Sequence, residues 1–154
     1  DDFPLPHKDV LVDNTADHAL LSFMNGYVEY NQIKMAKEDM AKTTFVTPWG
    51  TYCYTVMPFG LINAGATYQT TATNLLHDMM HKEVEVYVDD MIVKSRAISG
   101  HNANLRKFFT RIQKYKMRQN PAKCSFGVTS GKLLGYVVSK RGIEVDPSKI
   151  KAIT

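Results

Sequence analysis

The sequence predicts an α+β domain, an antiparallel sheet with two long helices packed on one of its faces. Three observations carry that reading. Paired runs of β-branched and aromatic residues flank turn residues at 43–56 and at 133–145. Residues 84–93 alternate apolar and polar and then run apolar, as two strands joined by a tight turn would. Residues 64–80 and 100–119 carry apolar residues at helical spacing.

Taken in order, Phe3-Pro4-Leu5-Pro6 is stiff and cannot enter a helix interior. Val10, Leu11 and the polar residues around 13–17 read as a short helix. Leu20-Leu21-Ser22-Phe23-Met24 reads as a buried strand, ended by Gly26, and 27–33 as a short helix or turn. Strands at 43–47 and 51–56 turn at Pro48-Trp49-Gly50. In the first long helix Ala66, Gln69, Ala72, Leu75, Leu76 and Met79 share one side. Two strands then meet at a turn placed on Asp89-Asp90. The second long helix sets Leu105, Phe108, Phe109, Ile112 and Tyr115 against a basic face of Arg106, Lys107, Arg111, Lys114 and Arg118, and Asn120-Pro121 stops it. A hairpin of 133–138 and 143–145 and a helix capped by Asp146 complete the order.

Composition narrows the classes. The chain has 154 residues, 44% of them hydrophobic, enough for one domain with a core and too short for two full ones. Cys53 and Cys124 make neither a disulfide scaffold nor a Cys-x-x-Cys zinc pair. No apolar run is long enough to span a membrane, and the start lacks signal-peptide regions and reads as a cut through a longer chain. Residues 1–90 hold 5 Lys+Arg against 13 Asp+Glu, net −8, while 91–154 hold 14 against 2, net +12. An acidic front suited to cations and a basic back suited to phosphates fit a metal-dependent nucleic-acid protein, and on charge alone a solvated basic helix fits equally well.

The sharpest local feature is Tyr87-Val88-Asp89-Asp90 between two apolar strands. Adjacent carboxylates repel, and a bound cation reverses that cost. Mg²⁺ takes oxygen ligands and needs only one or two carboxylates beside water and phosphate.

Around this tetrad stand Phe3-Pro4-Leu5-Pro6, Tyr30-Asn31-Gln32-Ile33, Met57-Pro58-Phe59-Gly60-Leu61 and Asn63-Ala64-Gly65-Ala66-Thr67-Tyr68-Gln69. Asn120-Pro121-Ala122-Lys123-Cys124 and Leu134-Gly135-Tyr136 follow. In that order the chain resembles the reverse transcriptase of gypsy-type LTR retrotransposons, specifically the polymerase palm with part of the fingers. The resemblance implies fingers-like segments at about 1–20 and 34–62, palm at 21–33 and 63–125, a primer-gripping hairpin at 126–145, and no thumb or RNase H. It implies RNA-directed DNA synthesis with Mg²⁺ or Mn²⁺, on an RNA or DNA template with primer and deoxynucleotide triphosphates, with no membrane partner. Self-association, contact with missing polyprotein regions and a cytoplasmic location are further implications.

By the same resemblance Asp89 and Asp90 match metal-binding catalytic carboxylates and Lys123 a lysine that protonates pyrophosphate. Tyr30 matches the aromatic residue under the nucleotide sugar. Phe59 and Gly60 match the loop at the incoming nucleotide and template, and Leu134, Gly135 and Tyr136 the primer grip. Two positions depart from the pattern. Asn25 stands where the family places its third catalytic Asp, and a neutral amide with one oxygen cannot bridge two divalent ions. Glu29 stands where the family has Gly, adding bulk and negative charge near the triphosphate. The resemblance therefore implies an impaired copy. The alternatives are a non-catalytic nucleic-acid-binding or protein-interaction module, and, with little support, a zinc helix built on His77-Asp78-Met79-Met80-His81.

Overall fold

The computed structural model describes residues 4–150; Phe3, at the head of the first motif, lies outside them. The chain runs through α1 (Lys8–Thr15), β1 (Leu20–Asn25), a 3₁₀ turn (Glu29–Gln32), α2 (Lys37–Met40), β2 (Phe45–Thr47) and β3 (Gly50–Tyr52). It continues through α3 (Ala64–Leu75), β4 (Val84–Tyr87), β5 (Asp90–Ser95), α4 (His101–Lys114), β6 (Ser125–Val128), β7 (Ser130–Leu133), β8 (Tyr136–Ser139), β9 (Gly142–Val145) and α5 (Pro147–Ile150). The result is the α+β arrangement the sequence predicts.

An antiparallel sheet of order β4-β5-β1-β6 is the centre. Strand alternation divides its side chains between two cores. Met24, Val84, Val86, Met91 and Val93 meet Tyr68, Ala72 and Leu76 of α3 and Phe108 and Ile112 of α4. Leu21 and Ile92 point the other way and meet Leu11 and Val12 of α1, with Leu133 and Val138 from β7 and β8. The two long helices thus share one face, as predicted; α1 and a second sheet, β7-β8-β9, cover the opposite one. Burying each such aliphatic side chain stabilises the fold by about 1.5–3 kcal/mol.

Several boundaries differ from the sequence reading. The first long helix stops at Leu75, not near Met80, because Asp78 turns to meet Arg111 and Val84 N donates to Met79 O as the chain re-enters the sheet. The second stops at Lys114, not Gln119. Lys116 is left-handed at φ 56°, and Met117 N donates back to Ile112 O, closing the helix end. Phe109 and Tyr115 lie outside the core, and Phe109 rests on Phe126, ring centroids 6.1 Å apart. The first hairpin is shorter than 43–47 with 51–56. Thr43 Oγ1 takes the Tyr54 N–H, and Val56 pairs with Lys34 instead.

The segment 133–138 is not one strand. Leu134 and Gly135, at φ 52° and 91°, form a two-residue turn between β7 and β8. The 126–145 segment holds three strands of the second sheet, together with most of β6, which pairs with β1 in the central one. Gly131 lets β7 close on the central sheet. A Cβ there would overlap the Phe23 ring.

Two buried polar clusters tie the layers. Glu85 and Lys94, both buried, pair at 2.8 Å beneath α1, where Lys94 Nζ also donates to Asn14 O. His101, at the start of α4, lies 2.7 Å from Ser22 Oγ and 2.8 Å from Ser95 Oγ, joining the helix to β1 and β5. Burial pushes the His101 imidazole pKa below its ordinary 6.5.

Two expectations follow. Unfolding exposes His101, so the stability its neutral form confers is present above pH 6.5 and is lost as pH falls below that value toward the depressed native one. Thermal midpoints will therefore drop between about pH 7 and about pH 5, and a His101→Gln variant, less stable at pH 7, will show a flatter profile across that window. Gly131→Ala will lower stability by about 1–3 kcal/mol in urea unfolding, and Phe23→Leu in the same chain will recover part of it.

Candidate active site

The β1–β5 register sets Asn25 directly opposite Asp90. Directly opposed residues of an antiparallel pair project from the same face, with Cα atoms about 4.5–5.5 Å apart. Both residues line a cleft between the central sheet and β7, with Lys123, Ser125, Ser130, Lys132 and Leu133. The chain after α4 delivers Lys123: Asn120 N donates to Asn25 O at 2.8 Å, and Pro121–Lys123 form a 3₁₀ turn capped by the Asn120 side chain. Lys132 sits 3.1 Å from Asp146. The Ser148 backbone N–H, and then Lys132, hold the Asp146 carboxyl below its ordinary value.

The tight turn is Val88-Asp89, one residue earlier than Asp89-Asp90, and Asp90 already belongs to β5 opposite Tyr87. Asp89 O accepts from Gly26 N at 3.1 Å, tying the turn to the end of β1. Val88 is left-handed at φ 49°. A β-branched residue there stores about 1–3 kcal/mol of strain and persists only when its surroundings hold it. Buried Gln69 of α3 does so. Its Oε1 accepts from Val88 N, and its Nε2 donates to Val86 O at 3.0 Å. No role was expected of Gln69, although a Gln on the apolar side of α3 is itself a signal, because a buried amide must find partners.

Tyr30 stands elsewhere, edge-on to Phe59 at 5.0 Å and to buried Tyr68 at 6.0 Å. Phe59 is exposed and Gly60 left-handed at φ 93°. Gln32, in the 3₁₀ turn that carries Tyr30, ties that turn to the chain after α4 by accepting from Arg118 N at 2.7 Å, and it donates to Tyr27 O at 2.7 Å. Leu134 and Tyr136 pack against the core beneath α1, so the cleft wall is β7 rather than the turn after it. The structure therefore joins Asn25, Asp90 and Lys123, pairs Tyr30 with Phe59, and sets Leu134-Gly135-Tyr136 apart.

The zinc-helix alternative fails. α3 ends before His77, Arg111 grips Asp78 at 2.7 and 2.9 Å, and His81 turns to Glu85 at 2.9 Å. Those Arg111 hydrogen bonds hold the Asp78 carboxyl well below the usual carboxylate range. Arg111 is thus committed to a structural pair and is not part of a free basic face.

The donor set at the cleft can be compared with a two-ion requirement. Among the described residues no three His, Cys, Asp or Glu side chains gather as metal ligands. Asn25 Oδ1 is buried and has no hydrogen-bond partner among them. An Asp at this position would repel Asp90 by about 3 kcal/mol at ~5 Å and an effective dielectric constant of ~20, a cost two cations remove. Asn25 carries no such charge and offers one neutral oxygen. The residues present do not fit a bridged pair of divalent ions.

Comparison with known proteins follows the same lines. The family model for reverse transcriptase (RNA-dependent DNA polymerase) matches residues 3–138. The chain is 33% identical over 153 residues to the retrovirus-related Pol polyprotein from transposon 297 of Drosophila melanogaster, covering 99% of this chain and 14% of that protein. It is 32% identical to the corresponding polyprotein from transposon gypsy, covering 99% and 15%. Among solved structures it superposes on the foamy viral protease-reverse transcriptase in complex with an RNA/DNA hybrid, with a TM-score of 0.87 and 20% identity, over 100% of this chain and 21% of that one. The dsDNA complex of that enzyme gives a TM-score of 0.85 at 20% identity, over 98% and 32%. The chain thus spans about one seventh of these curated relatives.

If Gln69 holds the strained turn, Gln69→Ala will lower stability by about 1–3 kcal/mol in denaturant unfolding, since it leaves the Val88 N–H and Val86 carbonyl unmatched. Hydrogen exchange at Val88 will rise in that variant more than at the β1 amides.

Proposed function

The chain belongs to the reverse transcriptase (RNA-dependent DNA polymerase) family, and from that premise we propose that it forms the palm and adjoining fingers of a gypsy-type retrotransposon polymerase whose catalysis is impaired at Asn25. The observation that carries this is the Asn25–Asp90 pairing in a cleft shared with Lys123. The proposed partner is a template–primer duplex, by likeness to the foamy viral enzyme, which is described in complex with an RNA/DNA hybrid and with dsDNA. Deoxynucleotide triphosphates are the proposed substrates.

In this reading Asp89 and Asp90 are the carboxylates toward which Mg²⁺ or Mn²⁺ would be drawn. Such ions supply Lewis-acid stabilisation to phosphoryl transfer. Lys123, on the cleft wall, would give a proton to a departing pyrophosphate. Tyr30, braced by Phe59 and Tyr68, underlies the nucleotide sugar, and Phe59 with Gly60 faces nucleotide and template. The turn Leu134-Gly135 with Tyr136 meets the primer end. Segments 21–33 and 63–125 are assigned to the palm, 1–20 and 34–62 to the fingers, and 126–145 to the primer-gripping unit.

Asn25 weakens this machinery in a definite way. Loss of one preorganised electrostatic group typically costs about 10²–10³ in rate, and loss of a bridging ligand costs at least that. The rival reading, a non-catalytic nucleic-acid-binding module, draws on the same residue, since an uncharged Asn25 removes repulsion toward phosphates. A protein-interaction module has no specific observation in its favour.

Primer extension on an RNA template with Mg²⁺ or Mn²⁺ separates these readings. Asn25→Asp is expected to extend at least about 10²-fold faster than the unaltered chain, with Asp89→Ala as the blank. Equal rates for the first two would refute impairment at Asn25. Binding by both without extension by either would favour the non-catalytic module.

A further inference from the structure

We propose that Gln32 is a positioning residue that locks the Tyr30 turn to the chain segment leading to Lys123, and that selection of deoxyribonucleotides over ribonucleotides depends on this lock. The inference rests on the polymerase-palm reading and names what holds its nucleotide side in place.

The turn that carries Tyr30 is poorly held by its own backbone. It is a 3₁₀ turn of four residues, Glu29–Gln32, with no side-chain hydrogen bond at its N-cap. That N-cap is Val28, left-handed at φ 49°, a conformation that a β-branched residue resists. Hydrogen bonds within a short 3₁₀ turn are poorly aligned. The turn must therefore be fixed from outside. Phe59 and Tyr68 brace the Tyr30 ring, and Gln32 fixes the backbone.

The Gln32 side chain acts as an extra peptide group. Its Oε1 accepts from Arg118 N at 2.7 Å, and its Nε2 donates to Arg118 O at 3.1 Å and to Tyr27 O at 2.7 Å. Arg118 O also accepts from Tyr27 N at 3.0 Å. Gly26 bridges Gln119, and Asn120 N donates to Asn25 O at 2.8 Å. The segment 118–120 is thereby laced along the end of β1, and the 3₁₀ turn Pro121–Lys123 follows at once. One amide thus joins the Tyr30 turn to the segment that holds Asn25 and delivers Lys123, across 86 positions of sequence.

In the palm reading Tyr30 lies under the nucleotide sugar. A ring packed there leaves no room for a 2′-hydroxyl, so discrimination is set by the distance between ring and sugar. A displacement of about 1 Å can change a rate about 10²-fold. Loss of Gln32 frees the turn to make such a displacement.

The test is primer extension by the Asn25→Asp chain in Mg²⁺, with deoxyribonucleotide and ribonucleotide triphosphates in separate reactions. The readout is the ratio of kcat/KM for the two sugars. Partial unfolding lowers both values together and leaves the ratio unmoved, so the ratio reports position. Gln32→Ala in that background is expected to lower the ratio at least about tenfold. Gln32→Glu keeps the acceptor for the Arg118 N–H and loses both donors, and is expected to lie between. With Tyr30→Ala already present, Gln32→Ala is expected to change the ratio less than about twofold, because the ring through which it acts is gone. Hydrogen exchange gives a second readout that needs no activity. In Gln32→Ala it is expected to rise at the Ile33 and Asn120 amides, which bond Tyr30 O and Asn25 O, more than at the β1 amides paired with β5. A ratio unchanged by Gln32→Ala, or lowered equally with Tyr30 removed, or unchanged exchange at Ile33 and Asn120, would overturn this inference while leaving the polymerase reading in place. No extension by the Asn25→Asp chain with either nucleotide would overturn both.

Discussion

The antiparallel pairing of β1 with β5 is the constraint on which the rest of the molecule depends. It runs from Leu20 opposite Ser95 to Asn25 opposite Asp90 without a slip. Because side chains alternate between faces, a shift of one residue would exchange the two cores and take Asn25 and Asp90 out of the cleft. Both faces are buried, so the register is specified twice. Met91 and Val93 are claimed by the core under α3 and α4, and Ile92 by the core under α1. The Glu85–Lys94 pair adds a polar check, since a slipped β4 or β5 would leave a buried charge without its partner. His101, bonded to Ser22 on one strand and Ser95 on the other, adds a second.

The Val88-Asp89 turn offsets some of the stability this frame provides. Val88 occupies a left-handed conformation that a β-branched residue resists, and Gln69 reaches from α3 to hold it. The clamp works because α3 is itself fixed by Tyr68, Ala72 and Leu76 against the sheet. Position of the carboxylates is therefore set by helix packing as well as by strand pairing. The other face contributes β7, whose Gly131 admits the close approach to Phe23 that narrows the cleft.

Electrostatics then separates inheritance from use. The fold is that of the reverse transcriptase family, while in the proposed reading Asn25 holds no charge at a position where the catalytic pattern has a carboxylate. A carboxylate there would be costly in the empty protein and valuable only with cations bound. An amide is cheap in both states, so it preserves the fold while reducing what the cleft can do chemically. In the proposed reading, stability and catalysis thus make opposite demands at this position, and Asn25 satisfies the first.

The sequence by itself determined the fold class and the family. Strand alternation at 84–93, the turn residues around Trp49 and the ordered motifs depend on local chemistry, which is written in consecutive residues. Boundaries were legible only approximately: α3 stops at Leu75 because Asp78 is drawn to Arg111, 33 positions away in sequence. The candidate site was half legible. Asp89 and Asp90 are singled out by adjacency alone, but Gln69 looked like one more position on a helix face until β4 and β5 came to rest beside it. That Leu134-Gly135 turns the chain, and that β7 and not this turn walls the cleft, also emerged only from the assembled sheets. Tertiary structure decided these points because each is a contact between segments distant in sequence, and neither partner's local preference encodes where the other will lie.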